Sequence, residues 1–108
     1  MAEEPELNES LSREYLDQIR TVLKAHPEVE RAVLFGSRAK RTQRKYSDID
    51  IALFGKSLDR VLWRIHMQLE EETRIPVYFD VVDYKKISNT DLRDHIDRVG
   101  TLIYRREE

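Results

Sequence analysis

Apolar residues recur along this chain with two periods, and the switches between them mark out its elements. Leu11, Tyr15, Ile19, Val22 and Leu23 fall at helical spacing, which predicts a first helix capped by Ser10 or Ser12 and stopped near His26-Pro27. A short buried strand follows over roughly Ala32 to Phe35 and breaks at Gly36-Ser37, after which Arg38-Ala39-Lys40-Arg41 reads as the first turns of a helix. Period two then takes over. Asp48 and Asp50 alternate with Ile49, Ile51 and Leu53, so the two carboxylates share one strand face while the aliphatic side chains enter the core.

Beyond the breaker Gly55, Ser57 is expected to cap a second long helix with Leu58, Val61, Leu62, Ile65 and Leu69 on one stripe, closing near Thr73. Val77 to Asp83 reads as a strand rich in β-branched and aromatic residues, begun by Pro76 where the missing N–H matters least. Val77, Phe79 and Val81 would share its core face, turning Asp80 to the other; Asp83 falls on the core side or just past the strand end. Ser88-Asn89-Thr90-Asp91 resembles a capping box, opening a last helix along Leu92, Ile96, Val99 and Ile103 that Gly100 weakens or bends. This order predicts an α/β (α+β) domain: a small mixed sheet with helices packed on one face and the other face open around the carboxylates. Residues 1 to 9 are polar and expected to be a disordered tail ahead of a single domain over residues 10 to 108.

Composition narrows the function classes. The 108 residues allow one core and no second domain of ordinary size. With no cysteine, disulfides and thiolate zinc sites are excluded. No apolar run reaches the length of a membrane span and the acidic start is unlike a signal peptide, so a cytoplasmic protein is the default expectation. A net charge of −2 makes any attraction to nucleic acid local rather than global. The 37% charged content would suit a heat-adapted source.

Two features carry chemistry. Amide groups and the helix dipole converge above Gly36-Ser37, and Gly36 has no Cβ to keep a phosphate away. Asp48 and Asp50 supply the paired hard oxygens that Mg2+ accepts alongside water and substrate phosphate. Taken singly, the first is most often a plain turn and the second a solvated strand face; together they are specific.

Gly36-Ser37, the spacer from Arg38 to Ser47, and Asp48-Ile49-Asp50 resemble the active-site motif of the nucleotidyltransferase superfamily, the DNA polymerase beta-like fold, and its minimal single-domain members in particular. The likeness covers roughly residues 12 to 104. It implies a two-metal site completed by a third carboxylate, for which the strand alternation favours Asp80 and keeps Asp83 as the alternative. It further implies transfer of a nucleoside monophosphate, AMP from ATP foremost, to an acceptor hydroxyl. Asp48 and Asp50 would hold Mg2+, Gly36 and Ser37 would cradle the outer phosphates, and Asp80 would bind the second ion and help deprotonate the nucleophile. The chain departs from the family pattern at Arg41, where a glycine is usual; an arginine is expected to continue the helix.

Relatives of this kind are often paired with a helical HEPN-domain ribonuclease, as antitoxin to its toxin, and the resemblance implies such a partner for this chain. Homodimer and hetero-oligomer both stay open. The cluster Arg38, Lys40, Arg41, Arg44 and Lys45 could neutralise a triphosphate or approach RNA, and because the cluster borders the phosphate turn, Arg38 and Lys45 are expected to contact the triphosphate or a partner. Trp63, beside Met67, is the first candidate for an oligomer or partner contact, whereas His66 and His95 read as packing or surface residues. Two other readings compete: a binding module that blocks its partner sterically, and a standalone small-molecule nucleotidylyltransferase.

Overall fold

The computed structural model describes residues 11–44 and 46–107. The expected tail over residues 1 to 9, the candidate cap Ser10 and the candidate ligand Lys45 lie outside the described residues. The chain runs α1 (Arg13–Lys24), β1 (Val29–Phe35), α2 (Gly36–Lys40), β2 (Ile49–Gly55), α3 (Leu62–Glu71), β3 (Phe79–Asp83), α4 (Thr90–Val99) and β4 (Thr101–Arg105), with 3-10 turns at Leu58–Arg60 and Tyr84–Lys86. Among the described residues no helix is long and apolar enough to cross a membrane.

The four strands form one mixed sheet in the order β3-β2-β1-β4. β1 is antiparallel to both of its neighbours, and β2 is parallel to β3 with Asp50 opposite Asp80. Strand alternation divides the apolar side chains between two faces. Ala32, Leu34, Ile49, Ile51, Leu53, Phe79 and Val81 face the main core with Leu16, Ile19 and Leu23 of α1 and Ile65 and Leu69 of α3. Val33, Phe35 and Ala52 face the other way and meet Ile96 of α4.

The expected mixed sheet is therefore present, with one difference in its covering: helices lie on both faces. α1 and α3 fill the main core, and α4 closes part of the face that carries the carboxylates. Its seat is aromatic as well as aliphatic, since Tyr84 stacks on Phe54 at 4.5 Å and donates its hydroxyl hydrogen to Asp97 Oδ1 at 2.7 Å.

Among the described residues, side-chain caps set two of the four helix starts. Ser12 Oγ accepts from Tyr15 N at 3.1 Å and Asn89 Oδ1 from Leu92 N at 3.1 Å. Ser57 does not cap: it sits in the left-handed region at φ 57°, makes no side-chain cap bond, and leads into a 3-10 turn before α3 begins at Leu62. The larger correction concerns the chain end. Ile103 does not continue the last helix; α4 stops at Val99, Gly100 is extended, and Thr101–Arg105 pairs with β1 as an edge strand. A Cβ on Gly100 would lie 2.4 Å from Ile96 O and 2.5 Å from Val33 Cγ1. Helix and sheet approach so closely there that only glycine fits, and the β-branched and aromatic run after it takes the open edge of β1.

Candidate active site

The site lies where β1 ends, β2 begins and β3 begins. At the end of β1 the chain turns through Gly36 at φ 76°, a conformation that side chains resist. A second constraint holds the same residue, because a Cβ there would lie 2.1 Å from Asp50 Oδ2. The phosphate turn and the carboxylate strand are thus in direct contact, and glycine is required by both backbone angle and space.

Asp50 lies between Phe35 on β1 and Asp80 on β3 in the strand register. In a parallel pair, register partners project from the same face about 4.8 Å apart, so two carboxylates stand side by side. Asp48, just before the strand, falls on the same alternation and is exposed, as is Asp80; Asp50 is partly buried. Burial, then the nearby negative charges of Asp80 and Asp48, push the Asp50 carboxyl up from 3.8 to about 6, with Arg38 opposing. Asp83 is turned away. It is buried on the α3 side, where its Oδ1 accepts from Lys85 N at 3.1 Å and caps the following turn. Among the described residues, no three His, Asp or Glu side chains converge tightly enough, as they stand, to hold a metal ion.

Arg38, expected as a triphosphate or partner contact, is buried beside the loop that precedes Asp48. Its side chain is 6% exposed, and its Nε and Nη2 donate to Ser47 O at 3.2 and 2.9 Å. The guanidinium thereby fixes the loop immediately before Asp48, and burial lowers its pKa against the pull of Tyr15, Asp48 and Asp50.

Arg41 also departs from expectation. It ends α2 in the left-handed conformation, φ 62° and ψ 31°, with its N–H bonded to the carbonyls of Arg38 and Ser37. Thr42 N then donates to Ser37 O at 2.9 Å. This is the helix-terminal position that glycine favours, which gives the physical reason a glycine is usual there.

Two histidines contribute in ways that spacing did not reveal. His66 Nε2 donates to Phe79 O at 2.9 Å while Glu70 Oε2 accepts from Phe79 N at 2.8 Å. Together they hold both backbone groups of the residue before Asp80. On the other face, Gly36 N donates to His95 Nε2 at 3.0 Å, and the His95 ring meets Phe35 edge-on at 6.1 Å. The amide expected to face phosphate is therefore engaged by α4. The only sequence signal for either contact was a histidine on a helix flank.

Comparison with known proteins agrees with this geometry. A family profile described as polymerase beta, nucleotidyltransferase, matches residues 17–108. A toxin-antitoxin crystal structure with AMP-PNP aligns with a TM-score of 0.70 at 26% identity, over 85% of this chain and 74% of that one. A tri-AMPylated Shewanella oneidensis HEPN toxin in complex with MNT antitoxin gives 0.63 at 22% identity, over 85% and 71%. A candidate nucleotidyltransferase from Sulfolobus solfataricus gives 0.56 at 22% identity, over 95% and 89%. No match to a curated protein was found. With a profile that spans most of the chain and a glycine turn packed against the strand carboxylates, this protein belongs to the polymerase beta nucleotidyltransferase family.

Proposed function

We propose that this chain transfers AMP from ATP to a hydroxyl on a helical HEPN-type toxin and thereby acts as its antitoxin. The observation that carries the reading is the meeting of three elements at one point: Asp50 against Gly36, and Asp50 beside its register partner Asp80. The solved complexes that resemble this chain support the nucleotide and the partner, one by its AMP-PNP and another by its AMPylated HEPN toxin.

Acidic side chains gathered on one face, with one carboxyl pushed up by its neighbours, suit a hard divalent cation such as Mg2+ that takes oxygen donors and offsets their repulsion. Asp48 and Asp50 would hold the ion accompanying the triphosphate, and Asp80 a second one. Bound there, the ions would supply charge neutralisation at the phosphates. The protein's own part is positioning. Arg38 fixes the Ser47 carbonyl ahead of Asp48, and His66 with Glu70 fixes the Phe79 backbone ahead of Asp80. The acceptor oxygen forms a bond to the α-phosphorus, the bond to the bridging oxygen breaks, and pyrophosphate leaves with that electron pair. The exposed Asp80 carboxylate accepts the hydroxyl proton. Ser37 and Lys45 would meet the outer phosphates. Trp63 and Met67, both exposed on α3, would contact the partner.

The sterically acting antitoxin is the competing reading, and the engaged Gly36 amide is the feature that favours it. Incubation of the protein and its helical partner with α-labelled ATP and Mg2+ separates the two. Label on the partner that vanishes in the Asp48→Asn, Asp50→Asn double variant supports transfer. Neutralisation of the partner that persists unchanged in that variant overturns it.

A further inference from the structure

We infer that His95 is a positioning residue for the nucleotide: as a neutral acceptor it holds the Gly36 peptide, and through it the phosphate turn, in the conformation that receives the triphosphate. The inference rests on the transfer reading for the identity of the ligand, and on geometry for everything else.

Gly36 occupies a left-handed conformation at φ 76° and is pressed against Asp50, so its peptide orientation decides where the turn and the carboxylate stand relative to each other. Glycine does not hold such an angle by itself, because it populates many backbone conformations almost equally. α2 is five residues long and offers little rigidity of its own. The Gly36 peptide itself is held from α4: its N–H donates to His95 Nε2 at 3.0 Å. Since a backbone N–H can only donate, Nε2 carries the lone pair and the ring proton sits on Nδ1. The ring's edge-on contact with Phe35 at 6.1 Å fixes its plane. α4 is in turn seated on the sheet by Ile96 against Val33, Phe35 and Ala52. A chain of contacts thus runs from the second core to the phosphate turn and ends at one imidazole nitrogen.

This assignment also resolves an apparent conflict. An engaged Gly36 amide is unavailable to phosphate, but the bond aims the turn, leaving Ser37 to meet the phosphates.

His95→Phe keeps a ring against Phe35 and removes the acceptor; His95→Gln places a side-chain carbonyl oxygen near the position of Nε2. Mg·ATP affinity is read by titration calorimetry, Gly36 amide exchange by NMR, and folding by thermal melting. His95→Phe is expected to weaken Mg·ATP binding about ten-fold and to speed Gly36 exchange by at least as much, the scale of one lost hydrogen bond in a partly buried site. His95→Gln is expected to restore both to within about three-fold of wild type. A merely structural role would lower the melting temperature and leave the affinity of the folded protein unchanged. Unaltered affinity in His95→Phe overturns the inference, and so does His95→Gln behaving like His95→Phe. Because binding is measured without turnover, a wild type that binds Mg·ATP but labels no partner refutes the transfer reading while the His95 comparison still decides this one. A wild type that binds no Mg·ATP refutes both.

Discussion

Replacing Asp50 by asparagine should make the metal-free protein more stable at neutral pH, although it removes a residue of the site. The Asp50 carboxyl titrates at about 6 in the fold against 3.8 for the free group, so the folded state holds its proton more tightly than the unfolded state does. The favourable contribution of that proton is fully present below pH 3.8 and is lost as the pH rises through about 6. Above that range the folded protein carries an ionised carboxylate that is partly desolvated and faces Asp80 and Asp48. In a sealed site the rise would correspond to about 3 kcal/mol, at 1.36 kcal/mol for each tenfold change. Asp50 is only partly buried, and solvent screening reduces the penalty to about 1 kcal/mol. Urea unfolding of wild type and Asp50→Asn at pH 7.5 and pH 3.5, with EDTA present, measures the difference. A gain of about 1 kcal/mol at the higher pH that disappears at the lower is expected. Millimolar Mg2+ should narrow or reverse the gap, because the ion would stabilise the form that retains Asp50. No gain at pH 7.5, or an equal gain at both pH values, would refute the argument that crowded charge strains this site.

Gly36→Ala should cost about 2 kcal/mol by chemical denaturation, from the left-handed backbone and the displaced Asp50 together, and should abolish label transfer; near-wild-type activity would contradict the close approach of Gly36 and Asp50. Arg38→Lys keeps the charge but cannot direct two nitrogens at Ser47 O, so it should lose about 1 to 2 kcal/mol of stability in the same assay. Arg41→Gly removes the left-handed strain at φ 62° and should raise stability by about 1 kcal/mol, visible as a higher melting temperature. Together these three variants separate the turn, the loop clamp and the helix end.

Much of the fold was legible because its signals are local. Helical spacing marked α1 and α3, and strand alternation marked β2 and turned Asp80 away from the core face; in the structure Asp80 is the register partner of Asp50, while Asp83 caps the following turn. Where the reading departed from the structure, distant neighbours decided. Ile103 continues a helical stripe on paper, yet Gly100 lies so close to Val33 that the chain turns and joins β1. Arg41 is a good helix former, but the loop toward Ser47 leaves the helix there, and the residue takes the angle that glycine would have taken. Arg38 was expected to contact the triphosphate or a partner, and only the tertiary structure showed that it is buried and bonded to Ser47 O.

The sequence alone determined the turn and the paired carboxylates, because backbone permissiveness at Gly36 and the two-residue period of a strand are properties of a few consecutive residues. It also determined that no thiolate chemistry is available. The tertiary structure alone decided which groups restrain that motif. The bond from Gly36 to His95 spans 59 residues, and the parallel register of β2 with β3 is what brings Asp80 to Asp50. Sheet pairing and helix docking depend on the sum of packing over the whole domain, so a period of two or of 3.6 residues carries no record of which helix flank will meet which turn.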